Sequence, residues 1–215
     1  MLEIDETCKQ VGRDPKSIEL IAVTKYVSIN RAQEAISAGI KHIGENRSEG
    51  IKAKKEAISS NVSWHFIGSL QTRKVKEIIN HVDYIHSLDR VTLAEEIQKR
   101  ASSCIKCFVQ VNTSGEKTKQ GLEKDDVEEF LNSIQQFDRI QVIGLMTMAP
   151  YTNDEKIIRN CFKDLKLLRD QIIKKNYINA PCTFLSMGMS NDYKIAIEEG
   201  ATHIRIGSSL VGEEL

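Results

Sequence analysis

Eight short apolar runs alternate from end to end with amphipathic stretches, and no linker or shift of composition interrupts the series. Parallel strands cannot be joined by tight turns, so this alternation demands crossover helices and a parallel sheet. Eight strand–helix units is the number that closes a barrel. The predicted fold class is therefore α/β, a single (β/α)8 TIM barrel occupying residues 1–215. A doubly wound open sheet is the competitor. It commonly has fewer strands, and its glycine-rich phosphate turn follows the first strand, where this chain has Lys25-Tyr26-Val27-Ser28.

The strand candidates are LIAVTK (20–25), HIGE (42–45), WHFIG (64–68), YIHSL (84–88), KCFVQVN (106–112), QVIGLMTM (141–148), FLSMG (184–188) and HIRIG (203–207). They are rich in Val, Ile and Phe and mostly bounded by Gly, Asn, Ser or Asp. Helical spacing follows the first strand at Ala32, Ala35 and Ile36, and the third at Val75, Ile78, Ile79 and Val82. It follows the sixth at Phe162, Leu165, Leu168, Arg169, Ile172 and Ile173. Asp89, Asn153-Asp154 and Ser190-Asn191-Asp192 each offer an N-cap oxygen to a following helix. Gly39 and Gly200 stand where left-handed C-caps would close two others. The segment before the first strand has room only for a short helix, and eight residues follow Gly207, so no second domain is expected.

Composition narrows the function classes. Thirty basic and thirty acidic residues give a formal net charge of zero, without the cationic footprint of a non-specific nucleic-acid or anionic-membrane binder. No run of 18 apolar residues predicts a transmembrane helix, and the opening MLEIDETCKQVGRDPK lacks the basic and apolar regions of a signal peptide. Five cysteines (Cys8, Cys104, Cys107, Cys161, Cys182) are odd in number and irregular in spacing, which implies a reducing, cytoplasmic compartment and no disulfide framework. Cys104 and Cys107 have C-x-x-C spacing, but no second pair completes a metal site, so buried thiols are the favoured reading. No metal is expected.

In such a barrel, side chains at the C-terminal strand ends face the active-site mouth. Three features stand out there. Lys25, one of 20 lysines, ends an apolar run on the strand face shared by Ile21 and Val23. A partly desolvated amine at the barrel lip is what Schiff-base chemistry needs; a lysine leaving the strand for solvent is the other reading. Ser186-Met-Gly-Met-Ser190 and Gly207-Ser208-Ser209 follow strands 7 and 8, where small residues let backbone N–H groups approach an anion. Ordinary turn chemistry would use the same residues. Arg205 lies inside the last strand, where its permanent cation needs a carboxylate, a phosphate or a ligand ring nitrogen as acceptor.

A lysine amine, an anion nest and an internal arginine together describe a cradle for pyridoxal 5′-phosphate. The chain also resembles the pyridoxal phosphate homeostasis protein family, single-domain barrels similar to the N-terminal domain of alanine racemase. The resemblance runs from about Ile18 to Gly212 and is carried by AVTK (22–25), GEN (44–46), WHFIGSLQTRK (64–74), QVNTSGEKTKQG (110–121), GLMTM (144–148), SMGMSNDY (186–193) and RIGSSLVG (205–212).

Carried over to these positions, the resemblance implies that Lys25 forms the internal aldimine and that Asn46 and Met146 line the cofactor ring. Ser186, Gly188, Ser190, Gly207 and Ser208 would bind the phosphate, and Arg205 would face the pyridine nitrogen. A permanent cation there disfavours protonating the ring, so deep carbanion chemistry is discouraged. Three departures stand out. Val27 occupies the place of a second lysine common in the family, Arg47 that of an aromatic residue, and the N-terminal helix is short.

The expected function is to hold pyridoxal 5′-phosphate for intracellular homeostasis and supply, with little or no catalysis. Apo-enzymes that use the cofactor are candidate recipients, and a monomer is preferred. The alternative is a pyridoxal-phosphate amino-acid racemase, which needs a second acid–base group facing Lys25 across the ring. None of the five tyrosines is an obvious substitute, although Tyr26 and Tyr151 fall near the mouth. A Schiff-base aldolase would use the fold and Lys25 but gives no reason for Arg205. His65 is read as a strand-buried histidine bonded to backbone rather than an acid–base group. Lys52, Lys54 and Lys55 are read as a solvated helix face, and residues 116–119 as a loop near the mouth.

Overall fold

The computed structural model describes residues 2–116, 119–212 and 214. Lys117 and Thr118, in the loop expected near the mouth, lie outside the described residues. Eight parallel strands close into a barrel in chain order: β1 (Glu19–Val23), β2 (His42–Glu45), β3 (Ser63–Phe66), β4 (Tyr84–Leu88), β5 (Ile105–Gln110), β6 (Ile140–Met146), β7 (Phe184–Ser186) and β8 (His203–Ile206). Closure is made by β8 on β1, with Glu19 opposite His203 and Ala22 opposite Ile206. The (β/α)8 barrel expected from the sequence is the fold. Several strands stop two residues short of their apolar runs, β1 at Val23 and β6 at Met146 among them. One further strand-to-strand bond follows at each of these ends, from the Thr24 N–H to the Gly44 carbonyl and from the Thr147 N–H to the Ser186 carbonyl, before the chain turns at the mouth.

Around the barrel lie α1 (Leu2–Gln10), α2 (Ile29–Ser37), α3 (Ser48–Ala57), α4 (Val75–Ile78), α5 (Val91–Arg100), α6 (Val127–Ile134), α7 (Glu155–Ile173), α8 (Tyr193–Glu198) and α9 (Ser208–Val211). Asp154 caps α7, its carboxylate accepting from the Lys156 N–H at 2.9 Å. Asp89 does not cap α5. Arg90 holds the N-cap position there, and Asp89 pairs with its guanidinium instead. At α8, Asp192 is the N-cap residue, but its carboxylate turns back to accept from the Met189 N–H at 2.5 Å. Gly39 and Gly200 adopt φ of 101° and 104° just past α2 and α8, the left-handed closure their positions predicted.

Outward-facing strand residues make the main core. Ala22, Ile43 and Trp64 pack on Ala32 of α2, while Val142, Leu145 and Leu185 join Phe162 and Leu165 of α7. Each fully buried aliphatic or aromatic side chain contributes about 1.5–3 kcal/mol. Lys54 corrects the expectation of a solvated basic face on α3. It is buried against the barrel, with Nζ 2.7 Å from both Glu45 Oε1 and the Thr24 carbonyl oxygen. The periodicity of α3 placed Lys54 on the inner face beside Ile51, and the buried Glu45 carboxylate supplies its counter-charge.

The barrel interior departs from the branched aliphatic filling usual in this fold. It holds His42, His65, His86 and His203, four of the five histidines, together with Tyr84, Phe108 and Arg205. His65 stacks on Tyr84 at 4.1 Å between ring centroids, and His86 on Phe108 at 4.4 Å. His65 bonds to neighbouring histidine rings rather than to the backbone.

All five cysteines are free thiols. Burial pushes the Cys107 thiol up and holds Cys182 at about 12, so both stay protonated. Among the described residues no cluster of His, Cys, Asp or Glu could hold a metal, and no helix is long and apolar enough to cross a membrane.

Candidate functional site

Where β1 and β8 turn outward, a pocket of about 280 Å³ opens at the barrel mouth, close to the small end of ligand pockets. Of the residues singled out in the sequence, Lys25, Ser190, Arg205, Gly207 and Ser208 line it together. They come from the ends of β1, β7 and β8, which the closed barrel makes neighbours although nearly the whole chain separates Lys25 from Ser208.

Lys25 lies in the turn just after β1, and its side chain is exposed rather than desolvated within the lip. Its Nζ sits 4.9 Å from the centre of the Tyr26 ring. Two hydrogen bonds fix the turn itself: the Thr24 N–H donates to the Gly44 carbonyl, and the Val27 N–H to the Thr24 carbonyl. Thr24 also donates its hydroxyl to Glu45 at 2.6 Å, so the backbone under Lys25 is held while the amine projects into the pocket.

Arg205 is buried on the pocket floor. Burial pulls its guanidinium down to about 10, a loss that Asp192 partly offsets, and it remains a cation at neutral pH. Among the described residues its side-chain hydrogen bonds are two: one Nη donates to Ser186 Oγ at 2.6 Å and the other to the Thr147 carbonyl at 3.0 Å. A guanidinium has five donors, so an acceptor in the pocket could take others.

The Gly/Ser segments frame the other side. The Gly207 N–H donates to Ser190 Oγ at 3.4 Å, which ties the two segments together. Directly after Gly207 the one-turn helix α9 begins at Ser208, and first-turn N–H groups have no partner within a helix. Gly188 holds this corner in place from behind. Its φ is +96°, a Cβ there would stand 2.6 Å from the Ala196 Cβ, and its carbonyl accepts from the Arg205 N–H at 2.9 Å. Ser186 is fully buried beneath the floor, bonded to Arg205 and His86.

Two residues carried over by resemblance lie elsewhere. Asn46 borders a neighbouring depression with Arg47, Ser48 and Gln71. Met146 is buried within the barrel against Phe108 and Ile143. Tyr26, Met148 and Met189, which the sequence places at the mouth without a binding role, also line the pocket, together with Val27 and Ile67, which it does not place there. For Met148 a signal existed, since it follows Met146 by two residues and so shares its strand face. Ile67 and Met189 carry no signal beyond their nearness to strand ends.

The donor set fits pyridoxal 5′-phosphate: a primary amine, a buried cation with spare donors, and hydroxyls beside first-turn amides share one small pocket with apolar Val27, Ile67 and Met148 to take a ring.

The profile of the family described as the alanine racemase N-terminal domain matches residues 6–214. A pyridoxal phosphate homeostasis protein of Aquifex aeolicus is 40% identical over 98% of this chain and 93% of its own length. Its namesake in Pseudomonas aeruginosa is 33% identical over 97% and 90%. The structure of PipY from Synechococcus elongatus with pyridoxal phosphate bound superposes with a TM-score of 0.85 at 31% identity, covering 97% of this chain and 100% of that one. Alanine racemase of Clostridium difficile shares the fold at a TM-score of 0.77 with 12% identity, and the match covers 97% of this chain and 55% of the racemase. The chain belongs to the pyridoxal phosphate homeostasis proteins, within the family of the alanine racemase N-terminal domain.

Proposed function

We propose that this protein binds pyridoxal 5′-phosphate and holds it for intracellular homeostasis and supply, with little or no catalysis of its own. The observation that carries the reading is the convergence of Lys25, Arg205, Ser190, Gly207 and Ser208 on one pocket, in a chain whose relatives bear that name. The cofactor brings an aldehyde that condenses with a primary amine, losing water. Lys25 supplies the amine. Ser190, Gly207 and Ser208 would hold the phosphate, and Arg205 would set a permanent positive charge beside the ring nitrogen. A cation there keeps that nitrogen unprotonated, which weakens the ring as an electron sink.

The racemase reading is weaker because it needs acid–base groups on opposite faces of the ring. Tyr26 neighbours Lys25 on the same turn, with its ring 4.9 Å from Nζ, and shares its side of the pocket. Tyr151 is 92% exposed and does not line this pocket. We place the protein in the cytoplasm as a monomer that hands its cofactor to apo-enzymes. Five free thiols and the absence of a membrane-crossing helix among the described residues support that setting.

The test is an absorption spectrum of the purified protein before and after borohydride, with the labelled peptide mapped. A visible band that bleaches and leaves its label on Lys25 supports the reading. Protein that stays colourless when given pyridoxal 5′-phosphate would overturn it, and fast turnover of L- to D-amino acids would favour the racemase.

A further inference from the structure

A continuous line of hydrogen bonds crosses the barrel interior. Glu19 Oε2 lies 3.0 Å from His42 Nε2, and His42 Nδ1 lies 2.9 Å from His65 Nε2. His65 Nδ1 is 2.9 Å from His86 Nε2, and His86 Nδ1 is 2.9 Å from Ser186 Oγ. Ser186 Oγ then accepts from Arg205 at 2.6 Å. The line begins at a half-exposed carboxylate at the start of β1 and ends on the pocket floor.

Strand register builds this path. Ile21 pairs with His42, so His42 stands one inward-facing position above Glu19. Gly44 pairs with His65 and His65 with Tyr84, so His65 and His86 each stand one such position higher than the histidine before. Four consecutive strands thus carry the line upward one step per strand, as the stagger of a closed barrel allows. It then crosses to Ser186 on β7 and Arg205 on β8.

Proton counting fixes its direction. A carboxylate only accepts and a guanidinium only donates, so both ends are set. Between them stand three imidazoles and one hydroxyl, each with one proton to give when neutral. The five contacts need five donors, and the arginine plus four inner groups supply them only if every group donates toward Glu19. With all three rings neutral, each histidine must then carry its proton on Nε2. Protonating one ring would keep the contacts but reverse every link between it and Ser186, whose oxygen would accept twice. Burial is the first cause holding His65 and His86 well below the ordinary imidazole range, with neighbouring cationic groups adding to it, and it lowers His42 too. The all-neutral arrangement, the one in which every link runs toward Glu19, is therefore the favoured one. All three rings then turn the negative end of their dipoles toward Arg205 and the positive end toward Glu19, stabilising a buried cation that, among the described residues, has no carboxylate in its hydrogen bonds.

We propose that Glu19, His42, His65, His86 and Ser186 form a one-way positioning relay that orients the Arg205 guanidinium toward the pocket. Its effect on a bound cofactor rests on the function proposed above; its protonation pattern does not.

The first experiment uses the whole protein without cofactor, labelled with 15N at histidine and arginine. Long-range 1H–15N spectra at pH 7.5 should show His42, His65 and His86 as neutral Nε2–H tautomers, with separate Nη signals for a rotation-restricted Arg205. An Nδ1–H tautomer or an imidazolium at any of the three would overturn the relay. The second experiment compares His86→Phe, which cuts the line, with His86→Gln, whose amide keeps a donor and an acceptor. Phe should merge the Arg205 Nη signals and weaken pyridoxal 5′-phosphate binding about tenfold, and Gln should restore most of both. Unchanged Arg205 signals in a folded Phe variant, or the same loss in both variants, would reduce the line to a packing feature. If the wild type takes no label at Lys25, the cofactor reading fails while the tautomers and Nη signals still decide the relay.

Discussion

The buried ammonium of Lys54 donates to the Thr24 carbonyl at 2.7 Å, gripping the peptide unit that leads into Lys25. The same ammonium pairs with Glu45 at 2.7 Å, and Glu45 in turn accepts from the Thr24 hydroxyl. A helix on the outside of the barrel therefore holds the turn that presents the pocket amine. Gly50 makes room for this cluster, since a Cβ there would lie 2.6 Å from Glu45 Oε2.

Removing one member should expose what it compensates. Lys54→Met leaves a buried carboxylate unpaired and should cost about 3–5 kcal/mol, because the charge keeps its desolvation penalty and loses its partner. Urea denaturation would read this, and the double variant Lys54→Met with Glu45→Gln should recover most of the loss. Equal destabilisation in the single and double variants would contradict the pairing.

Lys25→Ala should behave in the opposite way. The side chain is exposed, so stability should change by no more than about 0.5 kcal/mol. Borohydride-fixed label should disappear. Label that persists on another lysine would remove Lys25 from its role.

Arg205→Gln should weaken cofactor binding by about 1.5–3 kcal/mol, or roughly ten- to a hundredfold, through loss of a charged hydrogen bond. The absorption band of the bound cofactor should shift as well, since the ring nitrogen no longer faces a permanent cation. Titration followed by absorbance checks both, and an unmoved band would place Arg205 away from the ring.

Gly188→Ala should destabilise the fold by about 1–3 kcal/mol and weaken phosphate-dependent binding. The φ of +96° and the 2.6 Å approach to Ala196 leave a methyl group no space. Comparing affinity for pyridoxal 5′-phosphate with that for pyridoxal isolates the phosphate contribution.

Stability should fall in mild acid. His203 is held at about 3, and His65 and His86 well below their unfolded value near 6.5, chiefly by burial. The unfolded chain therefore binds more protons below about pH 6.5. The stabilisation is complete above that pH and is lost as pH drops toward the folded values, by up to about 1.4 kcal/mol per unit for each histidine. Urea midpoints should be flat from pH 8 to 7 and decline between 6.5 and 5, above the range where ordinary carboxylates titrate. A flat profile through that window would show that the rings take up protons in the folded state.

The fold was legible because its signal is local. Runs such as HIGE (42–45) and YIHSL (84–88) match β2 and β4 residue for residue, since alternation and chain punctuation act within a few residues. The Gly/Ser side of the pocket was legible for the same reason, because Ser190, Gly207 and Ser208 sit at strand ends that the barrel brings together. Asp89 was misread as a cap because a neighbouring guanidinium offered it a stronger partner than a helix N–H.

By itself, the sequence determined the eight strand–helix units, the barrel they close and the amine, cation and Gly/Ser segments gathered at its mouth. Only the tertiary structure decided how side chains distant in sequence pair inside that frame. It buried Lys54 against Glu45, sent Met146 inward while Met148 reached the pocket, and aligned Glu19, His42, His65, His86 and Ser186 beneath Arg205. The physical reason is one of range. Hydrophobic periodicity is written in adjacent residues, whereas these contacts depend on strand register and barrel stagger, which follow from the packing of the whole chain.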